Sequence, residues 1–162
     1  MKFNKKNNDW CEYSDLPSPL SYMNNNNELV KQIVYNSIKC LECNKVIVSR
    51  HRHDYVTCEC PNKAMVDGGN EYERYGAMDM DKIEFKYIYA DDDYEIVRQH
   101  ATRGSRGKDG KQTLTWIALA DMDNDYLEAV VDYGGPDWHI DLIRKEIKYR
   151  QDYNETFKKG EQ

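Results

Sequence analysis

Four cysteines in two close pairs are the residues of this sequence best suited to chemistry. They are Cys40 and Cys43, separated by two residues, and Cys58 and Cys60, separated by one. A Cys-x-x-Cys turn can deliver two thiolates to one ion, and a structural zinc site takes four such ligands in a tetrahedron. The spacing therefore predicts one structural Zn²⁺ ion. Because four thiolates leave no open position for water, we expect this ion to stabilise the fold.

Two alternatives to this ligand set stay open. The Cys-x-Cys half is tighter than the usual Cys-x-x-Cys, so His51 or His53 could replace one cysteine as a ligand. The other alternative is a set of four buried or reactive thiols without a metal. The fifth cysteine, Cys11, stands apart. We expect a strand hairpin within 44–57 to bring the second cysteine pair back to the first.

Basic residues form two further candidate sites for an anion. Arg50 and Arg52 flank His51 next to the cysteines. A second group is interleaved with glycines, whose backbone can wrap a phosphate together with arginine side chains. For each group, a solvated surface loop without a bound anion is the interpretation that we favour. The second group consists of Arg98, Arg103, Arg106, Lys108 and Lys111.

Composition limits the classes of protein that fit. The chain has 162 residues, a net charge of −6 and 32% charged residues. A mildly acidic protein has no overall attraction to nucleic acid or to an anionic membrane. No apolar run approaches the roughly 18–20 residues that cross a bilayer, and the polar N-terminus lacks a secretory signal. We therefore expect a cytoplasmic protein with no membrane partner, in which paired cysteines bind metal.

Strand signals cover the middle of the chain. Residues 82–90 alternate cleanly and are expected to pair with 94–99 as a hairpin. Residues 102–111 are rich in glycine and predict a loop. The other predicted strands are 46–48, 55–57, 64–66 and 114–119.

Helical spacing appears at both ends of this region. It predicts a short helix at 28–38 and a longer one at 122–133 that stops at Gly134. Pro136 then opens a last helix, because its missing N–H costs nothing at that position. Together with the strands, these helices indicate an α+β protein. It would combine a zinc-ribbon-like hairpin module, a small antiparallel sheet and a C-terminal helical hairpin.

The predicted elements divide the chain into four segments. A flexible N-terminal tail, rich in Asn and Lys, covers 1–27. The short helix and the zinc-ribbon-like module occupy 28–70. Antiparallel strands followed by two helices occupy 71–156, and a C-terminal tail covers 157–162.

A family resemblance extends over about 39–150. It is carried by the two cysteine pairs with the run 49–54 between them, by Val66-Asp67-Gly68-Gly69, and by the later run 103–111. These motifs resemble a set of small uncharacterised proteins of bacteriophages and of bacteria that carry prophages. The resemblance implies a virus-encoded accessory protein that acts inside a bacterial host.

Three functions fit these observations. The first is a non-enzymatic binding protein for a host protein, a host-made signal or a small anionic ligand, with a role against host defence. The second is a nucleic-acid or nucleotide binder that uses the basic residues named above. The third is a metal-assisted hydrolase built on His51, His53 and Asp67. No catalytic triad follows from the spacing of the remaining residues.

Overall fold

The fold is described by a computed structural model for residues 2–4, 9–11, 21–23 and 29–160, with side chains for 31–154. These residues form short antiparallel sheets and three helices, which confirms the α+β class. None of the helices within these residues is long and apolar enough to cross a membrane.

Two small hairpins precede the main body. Strand β1 (Lys2–Asn4) pairs with β2 (Asp9–Cys11), and β3 (Ser21–Met23) pairs with β4 (Leu29–Lys31). The described residues of the predicted tail at 1–27 are therefore strands. The other residues of that tail lie outside the described part of the chain.

The main body contains eight further strands and three α-helices among the described residues. The strands are β5 (Ile33–Cys40), β6 (Val46–Ser49), β7 (Val56–Thr57), β8 (Met65–Asp67), β9 (Arg74–Gly76), β10 (Ile83–Tyr89), β11 (Thr102–Ser105) and β12 (Thr115–Ala118). The helices are α1 (Tyr94–His100), α2 (Asn124–Tyr133) and α3 (Asp137–Gly160). Short 3-10 helices lie at Met80–Lys82 and Leu119–Asp121.

The short helix predicted at 28–38 is wrong, because 29–31 belong to β4 and 33–40 to β5; Glu28 lies outside the described residues. Strand β5 is the central strand of a sheet ordered β10-β5-β6. Most of its residues are buried, so the alternation that marks a half-exposed strand is missing. Its β-branched residues favour the extended conformation.

The strand predicted at 94–99 is also wrong. These residues form helix α1, and Asp93 caps its N-terminus by accepting a hydrogen bond from the Glu95 backbone N–H. The acidic run 91–93 is thus a turn that ends in a helix cap. Strand β10 pairs with β5 instead of with a following strand.

The hairpin expected within 44–57 does not form. Strands β6 and β7 occur close to the predicted positions, but β6 pairs with β5 and β7 pairs with β8. Each cysteine pair therefore lies in the turn of its own hairpin. This arrangement is the one that a zinc-ribbon-like site requires.

Several other predicted elements are confirmed. Strands β8 and β12 overlap 64–66 and 114–119, α2 lies within the helix expected at 122–133, and α3 begins directly after Pro136. The predicted loop at 102–111 is corrected in its first part, which forms β11 and pairs with β12. Helix α3 continues to Gly160, within the predicted tail at 157–162.

Two clusters of buried apolar residues hold the described body together. The first, here called the helix core, surrounds α1, α2 and α3 and includes Leu127 and Leu142. The second, here called the metal-side core, includes Ile38, Ile47 and Val66 together with Cys40 and Cys58. Pairing of β8 with β9 and of β5 with β10 joins residues on both sides of the predicted boundary at 70.

Candidate metal centre

The first pair of cysteines lies in the turn between β5 and β6. Cys40 ends β5, and its backbone N–H donates to the carbonyl of Lys45 at 2.9 Å. Asn44 closes this turn with a φ of 56°, in the left-handed region that asparagine tolerates better than most residues. The turn therefore directs the side chains of Cys40 and Cys43 to one side.

The second pair lies in the turn between β7 and β8. The backbone N–H of Cys58 donates to the carbonyl of Ala64 at 2.9 Å, and that of Lys63 donates to the carbonyl of Cys60 at 3.0 Å. Lys63 has a φ of 47°, so this turn also closes through a left-handed residue. The sequence Pro61-Asn62 after Cys60 is accommodated within it.

The two turns bring all four thiols together. Their sulfur atoms lie within 4.8 Å of one another. Cys60 Sγ is 3.4 Å from Cys58 Sγ and 3.6 Å from Cys40 Sγ. Four thiolates around one zinc ion, with Zn–S bonds of about 2.3 Å, place the sulfurs ~3.8 Å apart. The four cysteines therefore fit a single tetrahedral metal ion.

The environment of the thiols differs from one to the next. Hydrogen bonding from the backbone N–H of Cys43 lowers the pKa of Cys40 to about 6. Burial raises the pKa of Cys58 to about 11. For Cys43 the Lys45 backbone N–H lowers the pKa, but loss of solvation and the neighbouring thiols raise it more. A divalent cation would displace the protons that the cluster otherwise shares.

Asn62 is a contact of the centre that the sequence did not reveal. Its side chain is buried, and its amide Nδ2 donates to Cys40 Sγ at 3.8 Å. Its Oδ1 accepts from the backbone N–H of Asp79 at 2.7 Å. Asn62 thereby fixes the second turn to the first and to the segment before β10. An asparagine after a Cys-x-Cys pair carries no recognised signal for this role.

His51 and His53 lie outside the group of four thiols. His53 Nδ1 is 2.9 Å from the hydroxyl of Tyr72, which donates to Asp67 Oδ2 at 3.2 Å. Since this hydroxyl has only one proton to donate, His53 Nδ1 must be the donor toward Tyr72.

Asp67 is buried in the turn where β8 ends. It also receives the backbone N–H of Gly68 and forms an ion pair with Arg74 at 3.1 Å. The predicted turn at Gly68-Gly69 is present, with both glycines at positive φ. Apart from the four cysteines, no trio of His, Cys, Asp or Glu within the described residues is arranged to hold a metal.

The basic residues predicted to bind an anion are spread over several places. Arg50 donates to Thr102 Oγ1 at 3.1 Å, and Arg52 pairs with Glu71 at 3.4 Å. Arg98 is bound to the buried carboxylate of Glu146, at 2.6 Å and 3.0 Å. Arg98 therefore lies apart from the others, committed to an internal ion pair.

The remaining members of the basic group lie on or near the β11–β12 hairpin. Arg103 is in β11, close to Gly135 and to the buried His139. The side chains of three residues are exposed in the loop that connects the two strands: Arg106, Lys108 and Lys111.

Comparison with known families gives one match. Residues 32–77 match a family described as Domain of unknown function (DUF7695). The matched segment contains β5 to β9 and all four cysteines. Neither the curated proteins nor the solved structures contain a match to this chain.

Proposed function

We propose that the four cysteines bind one structural zinc ion and that the chain is a non-enzymatic binding protein. The group of four sulfur atoms within 4.8 Å of one another, supplied by two separate turns, carries this proposal. Tetrahedral sulfur sites in proteins hold zinc or iron, and zinc needs no redox partner. Four sulfur ligands fill the zinc shell, so no position remains for substrate or an activated water.

Metal analysis of the purified chain tests the first half of this proposal. We expect one zinc per chain and no stoichiometric iron. Cys43→Ser and Cys58→Ser should each lose most of the zinc, whereas Cys11→Ser, which changes the cysteine that stands apart in the sequence, should keep it. Stoichiometric iron, or zinc retained by both variants in the group, would contradict the assignment.

Support for a binding role comes from apolar side chains exposed beside the metal-side core. Tyr75 and Phe85 pack edge to face at 4.5 Å, yet each remains 45–46% exposed. Met78 and Met80 in the same segment are also exposed, Met78 at 79%. Clustered exposed apolar side chains are typical of protein–protein contact sites. These four exposed residues, close in sequence, are here together called the 75–85 surface.

Affinity capture with matched variants tests the 75–85 surface. Wild-type chain is immobilised and incubated with lysate of a bacterial host, and the retained proteins are quantified. A protein that binds here should be lost with the double variant M78D/F85S. It should be kept with Tyr133→Ser, which changes an aromatic side chain that is 87% exposed on α2. Equal recovery with both variants would exclude this surface.

The host-directed role is part of the same proposal and is supported by the sequence resemblance. A virus-encoded accessory protein would act in the cytosol of its bacterial host, on a host protein or on a signal that the host makes for defence. Identification of the captured protein tests this part separately from the zinc site.

A second candidate function, nucleic-acid binding, is favoured by one specific contact. The guanidinium of Arg50, in the loop after β6, bonds to Thr102 and lies 5.5 Å from the centroid of the Trp116 ring. This contact joins the metal-side loop to the β11–β12 hairpin, whose connecting loop carries exposed basic residues. Arginine and aromatic side chains on one surface are suited to phosphate contact and base stacking.

Fluorescence anisotropy with a labelled single-stranded oligonucleotide tests the second candidate. Binding should weaken steeply as salt is raised, and K108E/K111E should weaken it further. Lys39→Glu, a charge reversal in β5, serves as the control. If the oligonucleotide does not bind at low salt, or if its binding does not weaken as salt is raised, nucleic-acid binding is excluded and only the protein-binding proposal remains.

A further inference from the structure

A groove runs along α2 and α3. Its volume is about 710 Å³, and its walls carry opposite charge. Glu128 and Asp132 from α2 form the acidic wall, and Arg144 and Lys148 from α3 form the basic wall. The remaining lining residues are Val131, Ile147 and Gln151.

Both sides of the groove follow helical spacing. On α2 the lining residues are at i, i+3 and i+4, and on α3 at i, i+3, i+4 and i+7, so each set forms one stripe. Val131 and Ile147 pack against the helix core but remain partly exposed. Two parallel stripes with an apolar centre and charged flanks are the pattern that packs against further helices.

The two helices run antiparallel beside each other. Only residues 134–136 connect them, and Arg150 near the far end of the contact bonds to Asn124 at the start of α2 at 2.9 Å. Within the described residues, α2 and α3 thus form an antiparallel helix pair of the kind that makes up half of a four-helix bundle.

We propose that a second copy of this chain occupies the groove, forming a two-fold symmetric four-helix bundle from two α2–α3 hairpins. The proposal is independent of the metal centre and of the 75–85 surface. Exposed carboxylates on one wall and cations on the other make the surface complementary to itself.

Charge selects one of the two face-to-face arrangements. With the two-fold axis parallel to the helices, α2 of each copy lies over α3 of the other, so acidic walls meet basic walls. With the axis perpendicular to the helices, α2 lies over α2 and like charges meet. Every neighbouring pair of helices is antiparallel in both arrangements, so the helix dipoles do not distinguish them and the charged walls decide.

Lys148 already has a partner within its own chain. It pairs with Asp152 at 3.1 Å, and both side chains are more than half exposed. Exposed pairs of this kind contribute little to stability, so Lys148 can exchange Asp152 for a carboxylate of the second copy at small cost. Glu128 and Asp132 form no ion pair with any residue among the described side chains.

Complementation between two charge-reversed variants of the full chain tests the proposal. Sedimentation equilibrium of the wild type should give twice the chain mass of 19.1 kDa. E128K/D132K opposes cations to cations, and K148E/Q151E opposes acids to acids. Each variant alone should dimerise at least about tenfold more weakly. Mixed in equal amounts, the two should form a heterodimer, because every opposed wall is complementary again.

The control is D81K/E84K, which makes the same change of net charge as E128K/D132K but before and within β10, and it should dimerise like the wild type. Circular dichroism of each variant establishes that the helices are retained. A monomeric wild type at high concentration overturns the proposal. So does a wild-type dimer that both groove variants preserve, or a pair of monomeric variants that fail to associate when mixed.

Discussion

At the scale of single residues, His139 is a buried histidine whose uncharged form is favoured by the fold. It lies on α3, is 5% exposed, and burial followed by the nearby Arg103 lowers its pKa to about 4. Above the pKa of 6.5 of an unfolded histidine, the imidazole is neutral in both states and stability is unaffected. Below that pH the unfolded chain gains a proton that the folded chain refuses, so stability falls as the pH falls toward 4.

This sign gives a measurable difference between the wild type and His139→Gln. Between pH 7 and pH 5 the wild type should lose about 2 kcal/mol more unfolding free energy than the variant. Urea unfolding at both pH values measures it. Any loss of metal at pH 5 affects both proteins alike and cancels in the comparison. Identical pH dependence would show that His139 protonates freely in the folded chain.

Replacing Asn62 should lower the affinity for metal without removing any of the four thiols. Asn62→Ala keeps all four cysteines but removes the amide that donates to Cys40 Sγ and holds the Asp79 backbone. Loss of such an outer contact typically lowers metal affinity by about 10–100-fold. Competition with a chromophoric chelator measures the affinity. Glu59→Ala, an exposed change in the same turn, should bind zinc like the wild type, and equal affinity for Asn62→Ala would contradict the role.

At the scale of elements, α1 depends on its N-cap because it is only seven residues long. The Asp93 carboxylate accepts the Glu95 backbone N–H at 3.0 Å. Asp93→Ala should cost about 1 kcal/mol of unfolding free energy, measured by urea titration. Gln99→Ala, an exposed change in the same helix, should be close to neutral. A loss of the same size in both variants would mean that the cap does not matter.

How far the sequence predicts these elements depends on whether their signals are local. Helix α2 was predictable because Asp123 caps its start and Gly134 ends it, both within a few residues. Strand β5 was not, since it is buried between β6 and β10, and β10 is distant in the chain. The cysteine centre was predictable from type and spacing alone, but the pairing of its turns into separate hairpins was not.

The role of Glu146 in α3 is another feature that the sequence did not predict. Its carboxylate is fully buried and accepts hydrogen bonds from Arg98, Arg150 and Tyr94. In the sequence it is one of many charged residues on a polar helix. Only the packing of α1 and α3 reveals that Arg98 is committed to this carboxylate and is unavailable to an external anion.

At the scale of the whole molecule, the paired strands β5 and β10 link the two cores. Val34 of β5 and Ile88 of β10 belong to the helix core, whereas Ile38 of β5 and Ile83 of β10 belong to the metal-side core. Three of the four candidate ligands, Cys40, Cys58 and Cys60, lie in or pack against the second core, so loss of a bound ion would remove a cross-link from that side only. Free energy of metal binding should therefore appear as local stability of β6 to β8.

Hydrogen exchange before and after chelation measures this division. Removing the metal should speed amide exchange strongly in residues 40–67, because two turns lose the ion that joins them. Amides of α2 and of α3 near Leu142 and Ile143 should keep most of their protection, since they belong to the helix core, which contains none of the four cysteines. Simultaneous loss of protection in both regions would mean that the metal supports one cooperative unit, in which β5 and β10 transmit the loss from the metal-side core to the helix core.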